Sequence, residues 1–159
     1  MKRLLPIILT LLLVCIAVSY ASAANVVASP QNLSVDGVDA DCDKYNIDGS
    51  NYFKLRDLAA ALKGLDSEFA VTWNAAQQRI DLTSKTAYTP VGGEQAALPA
   101  GNKAASLTNA SVYLDGNPLS LTAYSIGGNN YFKLRDLVFA LGFGVDWNAN
   151  TMTMILTVK

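Results

Sequence analysis

The sequence predicts an α+β fold made of two tandem repeats of antiparallel strands packed on a short helix, β-β-β-α-β-β in each. Three observations carry this. The octapeptide at 51–58 returns letter for letter at 130–137, and such self-similarity is the first feature to read in a chain. Its surroundings keep the same order: Asp36-Gly37 answers Asp115-Gly116, Tyr45 answers Tyr124, and Val71-Thr72-Trp73-Asn74 answers Val145-Asp146-Trp147-Asn148. The apolar residues alternate with period two ahead of the octapeptide and fall at helical spacing within and after it.

Taken in order, residues 1–23 read as a signal peptide. Lys2 and Arg3 precede an apolar stretch from Leu4 to Val18, and Ala21-Ser22-Ala23 forms a small-residue cleavage site. The apolar run is short beside the about 20 residues of a membrane span. Export is therefore expected, with the mature chain secreted and associated with the cell surface. Repeat 1 occupies 24–93, a linker 94–107 and repeat 2 108–159.

Each repeat opens on a strand and an Asp-Gly turn, a strong hairpin signal between alternating segments. The returning strand runs through Ala40 and Cys42, or Leu119 and Leu121, toward Tyr45-Ile47 or Tyr124-Ile126. The parity of apolar positions changes between Leu121 and Tyr124, which predicts a bulge or kink. Tyr52-Phe53-Lys54-Leu55 reads as a strand. Arg56-Asp57-Leu58 then opens a helix through Leu62, with Asp57 facing the positive end of the helix dipole. In repeat 2, Leu141-Gly142 is a helix stop. Two strands close each repeat, the last placing Met152, Met154, Leu156 and Val158 inward. The linker is rich in Ala, Gly and Pro and predicts a flexible surface connection. A unit of roughly 50 residues is marginal alone. The two copies are therefore expected to pack together, in one body or as two lobes.

Composition narrows the function. The formal net charge of −1 becomes more negative once Lys2 and Arg3 are removed, which argues against nucleic acid and anionic membrane as partners. The chain has no histidine, and so lacks the commonest general base and metal ligand. Cys42 is the only cysteine of the mature chain. Its counterpart is Leu121, which suggests a small buried hydrophobe.

With these motifs in place, the chain resembles the copper amine oxidase N-terminal-like domain family, also called stalk domains, of secreted bacterial proteins. The resemblance rests on the Asp-Gly hairpins, on 52–56 and 131–135 as a strand-to-helix segment, on Leu141-Gly142, and on Val145-Asp146-Trp147-Asn148. Phe-Lys stands where many members have Val-Pro. The resemblance implies antiparallel sheet wrapped on a helix and an extracellular, accessory setting. The copper ligands of those enzymes are histidines of a separate catalytic domain. No catalytic residue, cofactor or metal ligand carries over.

Four groups of residues remain as site candidates. Arg56-Asp57 and Arg135-Asp136 read either as a ligand clamp or, more simply, as a structural device at the strand-to-helix bend. Asp39, Asp41, Asp43 and Asp48 suggest a calcium loop. However, Lys44 and Ser50 stand where an EF-hand needs Gly and Glu, leaving a solvated acidic strand face. Leu98-Pro99-Ala100-Gly101 lacks the rest of a sortase signal. Trp73 and Trp147 are expected in the core. Tyr52 and Tyr131 are balanced between core and surface, and all four are the aromatic candidates for ligand contact. The resulting expectation is a non-catalytic extracellular binding or spacer module whose partner is a surface protein or polysaccharide. The alternative is a carbohydrate-binding module for cell-wall glycan. A glycosidase built on Asp/Glu pairs lacks an evident cleft-forming scaffold.

Overall fold

The computed structural model describes residues 26–96, 104–108 and 110–158. The expected signal peptide and the Leu98-Pro99 segment lie outside them. The first half runs β1 (Val26–Ala28), β2 (Asn32–Val35), β3 (Val38–Asp39), β4 (Lys44–Ile47), β5 (Ser50–Lys54), α1 (Leu55–Ala61), β6 (Phe69–Asn74) and β7 (Arg79–Ser84). The second runs β8 (Ala105–Leu107), β9 (Ser111–Leu114), β10 (Asn117–Leu119), β11 (Ala123–Ile126), β12 (Asn129–Lys133), α2 (Leu134–Leu141), β13 (Gly144–Asn148) and β14 (Thr153–Thr157). The fold is mostly sheet with two short helices, a mixed α+β architecture.

The strands form a six-stranded sheet, β1-β4-β5-β12-β11-β8, and two four-stranded sheets, β10-β9-β7-β6 and β13-β14-β2-β3. The octapeptides meet at the centre of the large sheet. There β5 and β12 pair antiparallel with Phe53 opposite Phe132, and Lys54 and Tyr52 opposite Tyr131 and Lys133. Each small sheet takes strands from both halves. The β2–β3 hairpin docks on β14, and the β9–β10 hairpin docks on β7.

Both docking contacts are parallel, where antiparallel strands alone are expected from sequence. A parallel pair needs a long crossover, which the chain from 36 to 152 supplies for β2 and β14, and the chain from 85 to 110 for β7 and β9. The Asp-Gly turns of the two docked hairpins have positive φ at both residues, 47° and 83° at Asp36-Gly37 and 50° and 80° at Asp115-Gly116. Glycine meets the second requirement without a steric penalty, and such turns match the twist of a two-residue hairpin. Each Asp also ties its hairpin to the other half. Asp36 Oδ1 accepts the Val158 N–H at 2.9 Å, and Asp115 accepts the Ser84 N–H at 2.9 Å and its hydroxyl at 2.7 Å. The Ser84 hydroxyl and N–H hold the Asp115 carboxyl below its usual range.

Three sequence expectations change on contact with this topology. No bulge joins Cys42 to Tyr45 or Leu121 to Tyr124. The strand ends there and the chain crosses from a small sheet to the large one, which is what the parity change records. Ala105–Leu107, read as linker, is an edge strand on β11. Met152, read as facing inward, sits in the turn before β14 at φ 50° and is exposed.

Alternate side chains of β5 and β12 point to opposite faces. Phe53 and Phe132 enter the main core with Leu58, Leu62, Leu137 and Phe69. Tyr52 and Tyr131 enter a second cluster with Tyr45, Ile47 and Ile126. Val26 and Ala105, from the two outermost strands, both pack on that cluster, so the large sheet curls around it. Edge-to-face ring pairs join the halves, Tyr45 with Tyr131 at 5.2 Å and Tyr52 with Tyr124 at 5.1 Å. Such pairs add about 0.5–1.5 kcal/mol each beyond area burial. Helix α2 ends as expected at Gly142, left-handed at φ 76°, whose N–H donates to the Val138 carbonyl.

Candidate functional site

Two clefts occupy matched places in the molecule, one of about 440 Å³ and one of about 340 Å³. Each is built from both halves. The larger takes Gly49, Ser50 and Asn51 from the β4–β5 turn, and Lys133, Leu134 and Arg135 from the β12–α2 junction. Strand β13 adds Val145, Asp146 and Trp147. The smaller takes Gly128, Asn129 and Asn130 from the β11–β12 turn, and Lys54, Leu55 and Arg56 from the β5–α1 junction. Strand β6 adds Val71, Thr72 and Trp73. The repeated octapeptide thus contributes its first residue to one cleft and its Lys-Leu-Arg to the other.

The expectation for the tryptophans is overturned, and the open one for the tyrosines falls to the core. Trp73 and Trp147, placed in the core by sequence, are 49 % and 45 % exposed. Tyr52 and Tyr131, balanced between core and surface, are 6 % and 3 % exposed and line neither cleft. The reason is topological. β6 and β13 are the outer strands of the small sheets, and an edge strand leaves one flank to solvent. The tyrosines lie on the two central strands of the large sheet, where the curl encloses them, and burial raises the Tyr52 and Tyr131 hydroxyls above their usual range.

The Arg-Asp motif separates into two roles. Arg56 and Arg135 line the clefts. Asp57 turns inward and is fully buried. Its carboxylate accepts the Asp43 N–H at 2.9 Å and the Gln95 N–H at 3.0 Å, and lies 3.0 Å from the Lys54 ammonium. Lys54 is 6 % exposed and also approaches Asp43 at 3.6 Å and donates to the Gly93 carbonyl at 2.6 Å. Burial first, and then the charge of Asp57, raise the Asp43 carboxyl above its usual range. Asp57 was read as a helix-terminus charge. Its main work is to balance a buried lysine that sequence reasoning passed over. The available signal was Lys54 three residues before Asp57, a spacing that brings two side chains together at a helix start. The second half lacks this cluster. Thr122 stands where Asp43 would, and neither Lys133 nor Asp136 makes an ion pair or side-chain hydrogen bond among the described residues.

The segment 86–96 straps across α1. Tyr88 is buried in the main core and donates its hydroxyl to Glu94 Oε1 at 2.6 Å. Glu94 also accepts the N–H groups of Val91 and Gly92 at 2.8 and 2.9 Å. The Tyr88 hydroxyl and these backbone donors lower the Glu94 carboxyl from 4.5 to about 2. A folded value below the unfolded one means stability that is present above 4.5 and lost as pH falls toward about 2. Amide exchange at Val91, Gly92 and Gln95, corrected for intrinsic rates, is expected to accelerate across that window. The Glu94→Gln chain should already exchange fast above it. Unchanged protection of the native chain at the acid end would refute the assignment.

The remaining candidates resolve simply. Cys42 is buried, and desolvation together with Asp57 pushes its thiol up to about 12, which makes it a core residue and a poor nucleophile. Among the described residues no three His, Cys, Asp or Glu side chains come together to hold a metal ion. Asp43 is spent on Lys54, and Asp39 pairs in β3 with Ser34.

A family model described as copper amine oxidase N-terminal domain matches residues 34–156. No curated protein and no solved structure matches the chain. The copper of the family's name finds no fitting donor set in the residues present, since the chain has no histidine and the described residues hold no ligand cluster.

Proposed function

Since the chain belongs to the copper amine oxidase N-terminal domain family, a non-catalytic N-terminal module, we propose that it is a secreted, cell-surface binding module that takes up glycan through its two tryptophan clefts. The observation that carries the reading is the matched exposure of Trp73 and Trp147, each in the wall of a cleft that also presents an arginine and amide side chains. An indole half open to water stacks on the apolar face of a sugar ring, while amides and guanidinium meet its hydroxyls. A half-exposed Trp on an edge strand costs hydrophobic burial, and a partner that covers it recovers that loss.

The doubled site has its own consequence. We read the two halves as descendants of one duplicated unit, because equivalent residues build equivalent clefts about the β5–β12 pair. Two weak sites on one rigid body give an extended polymer a higher apparent affinity than either alone.

The test is sedimentation of the mature chain with purified, insoluble cell-wall glycan. The native chain should co-sediment, Trp147→Ala and Trp73→Ala should each weaken binding roughly tenfold, and the double variant should stay in the supernatant. Both indoles are half exposed, so melting temperature should move little. Native protein that never sediments would leave the family's other reading, a spacer that binds nothing through these clefts.

A further inference from the structure

We propose that the Trp147 cleft selects an acidic sugar, one carrying a carboxylate or phosphate. This deepens the glycan reading and rests on it. The inference comes from what differs between two otherwise matched sites. In the Trp73 cleft the lysine is already committed, its ammonium held between Asp57 at 3.0 Å and Asp43 at 3.6 Å and capped by the Gly93 carbonyl. In the Trp147 cleft none of those pairings forms among the described residues, although Asp136 keeps the place of Asp57 in the octapeptide. Thr122 replaces Asp43, and no strap crosses α2 among the described residues. Lys133 therefore lines the cleft with no ion pair or side-chain hydrogen bond among the described residues, and Arg135, exposed beside it, has none either.

Two uncommitted cations in one concave wall are a receptor for an anion. A guanidinium offers a planar fork to carboxylate or phosphate oxygens, and an ammonium adds a mobile second donor. One carboxylate shares the wall. Asp146 directs Oδ1 to the Trp147 N–H at 2.7 Å, which spends that oxygen on fixing the backbone beneath the indole. Asp136, next to Arg135 in the chain, does not line the cleft. The wall thus holds two cations against one anion, and the indole lies within reach of the ring to which the anion is attached. Asn51, in the same wall, is already bonded to Gln31 and Ser29 and serves as a fixed floor.

The experiment compares polygalacturonate with its fully methyl-esterified form, the same backbone with and without charge, and adds a phosphomannan as the phosphate arm. Calorimetry on the mature chain should give at least tenfold tighter binding to polygalacturonate than to the ester, lost as salt is raised. Tighter binding to phosphomannan than to polygalacturonate would identify phosphate as the preferred anion within the same chemistry. Lys133→Gln should erase most of the preference while leaving ester binding in place, and Arg135→Gln should erase most of it and weaken ester binding as well. Asp146→Asn should increase it several-fold, and Lys85→Gln, a surface charge remote from the cleft, should leave it unchanged. Equal affinity for acid and ester, or a preference that survives both cation variants, overturns the inference while leaving glycan binding intact. Failure to bind any of the three polymers would instead count against the glycan reading itself.

Discussion

Residues 24–96 expressed alone will remain unfolded, and mixing them with residues 104–159 will restore a folded complex. The two halves do not each own a core. Without the second half, β2–β3 loses β14, β7 loses β9, Phe53 loses Phe132 and Tyr52 loses Tyr124. What remains is a chain whose three sheet fragments are all open along an apolar edge, at a length where burial barely offsets chain entropy. Far-UV circular dichroism and proton spectra of each fragment should show no cooperative structure, and equimolar mixing should recover the intact chain's spectrum. A first half that melts cooperatively by itself would show the interlocked sheets to be dispensable.

Asp57→Ala is expected to cost about 3–5 kcal/mol, because it strands a buried ammonium and two backbone N–H groups. The corresponding fall in Tm is roughly 10–20 °C. The matched change Asp136→Ala should cost about 1 kcal/mol or less, since Asp136 is half-buried and makes no ion pair or side-chain hydrogen bond among the described residues. Identical letters in an identical octapeptide would then differ several-fold in worth. In the Asp57→Ala chain Asp43 is left as the lysine's one counter-charge among the described residues, and the second largest cause of its raised carboxyl is gone. Thermal unfolding of both variants decides the matter, and equal losses would mean that the Lys54 cluster contributes little.

The sequence was most legible where local chemistry decides the outcome. Asp36-Gly37 and Asp115-Gly116 are hairpin turns, residues 52–58 and 131–137 carry strand into helix, and Leu141-Gly142 stops α2. What escaped depends on which half a strand joins. Alternation marks Phe69–Asn74 and Gly144–Asn148 as strands, but an edge strand and a central one read alike, so the tryptophans were placed inside. The tyrosines stayed undecided between core and surface, because curling of a six-stranded sheet around four rings is invisible to a window of ten residues. The clefts were hidden for a related reason. Asn51 and Arg56 are five positions apart in one octapeptide, yet they serve different sites, and only the antiparallel β5–β12 pairing brings each beside the other copy's partner.

The parallel contact between β2 and β14 governs how the molecule bears load. β2 lies near the start of the described chain and β14 near its end, side by side and pointing the same way, with four residues of each in register from Asn32 beside Thr153 to Val35 beside Leu156. Tension applied through the chain on either side would draw these strands past one another along their length. The bonds between them then resist together in shear, where an antiparallel hairpin pulled from its open end would unzip one bond at a time. β1, held to β4 by three residue pairs, would peel first and leave that clamp intact.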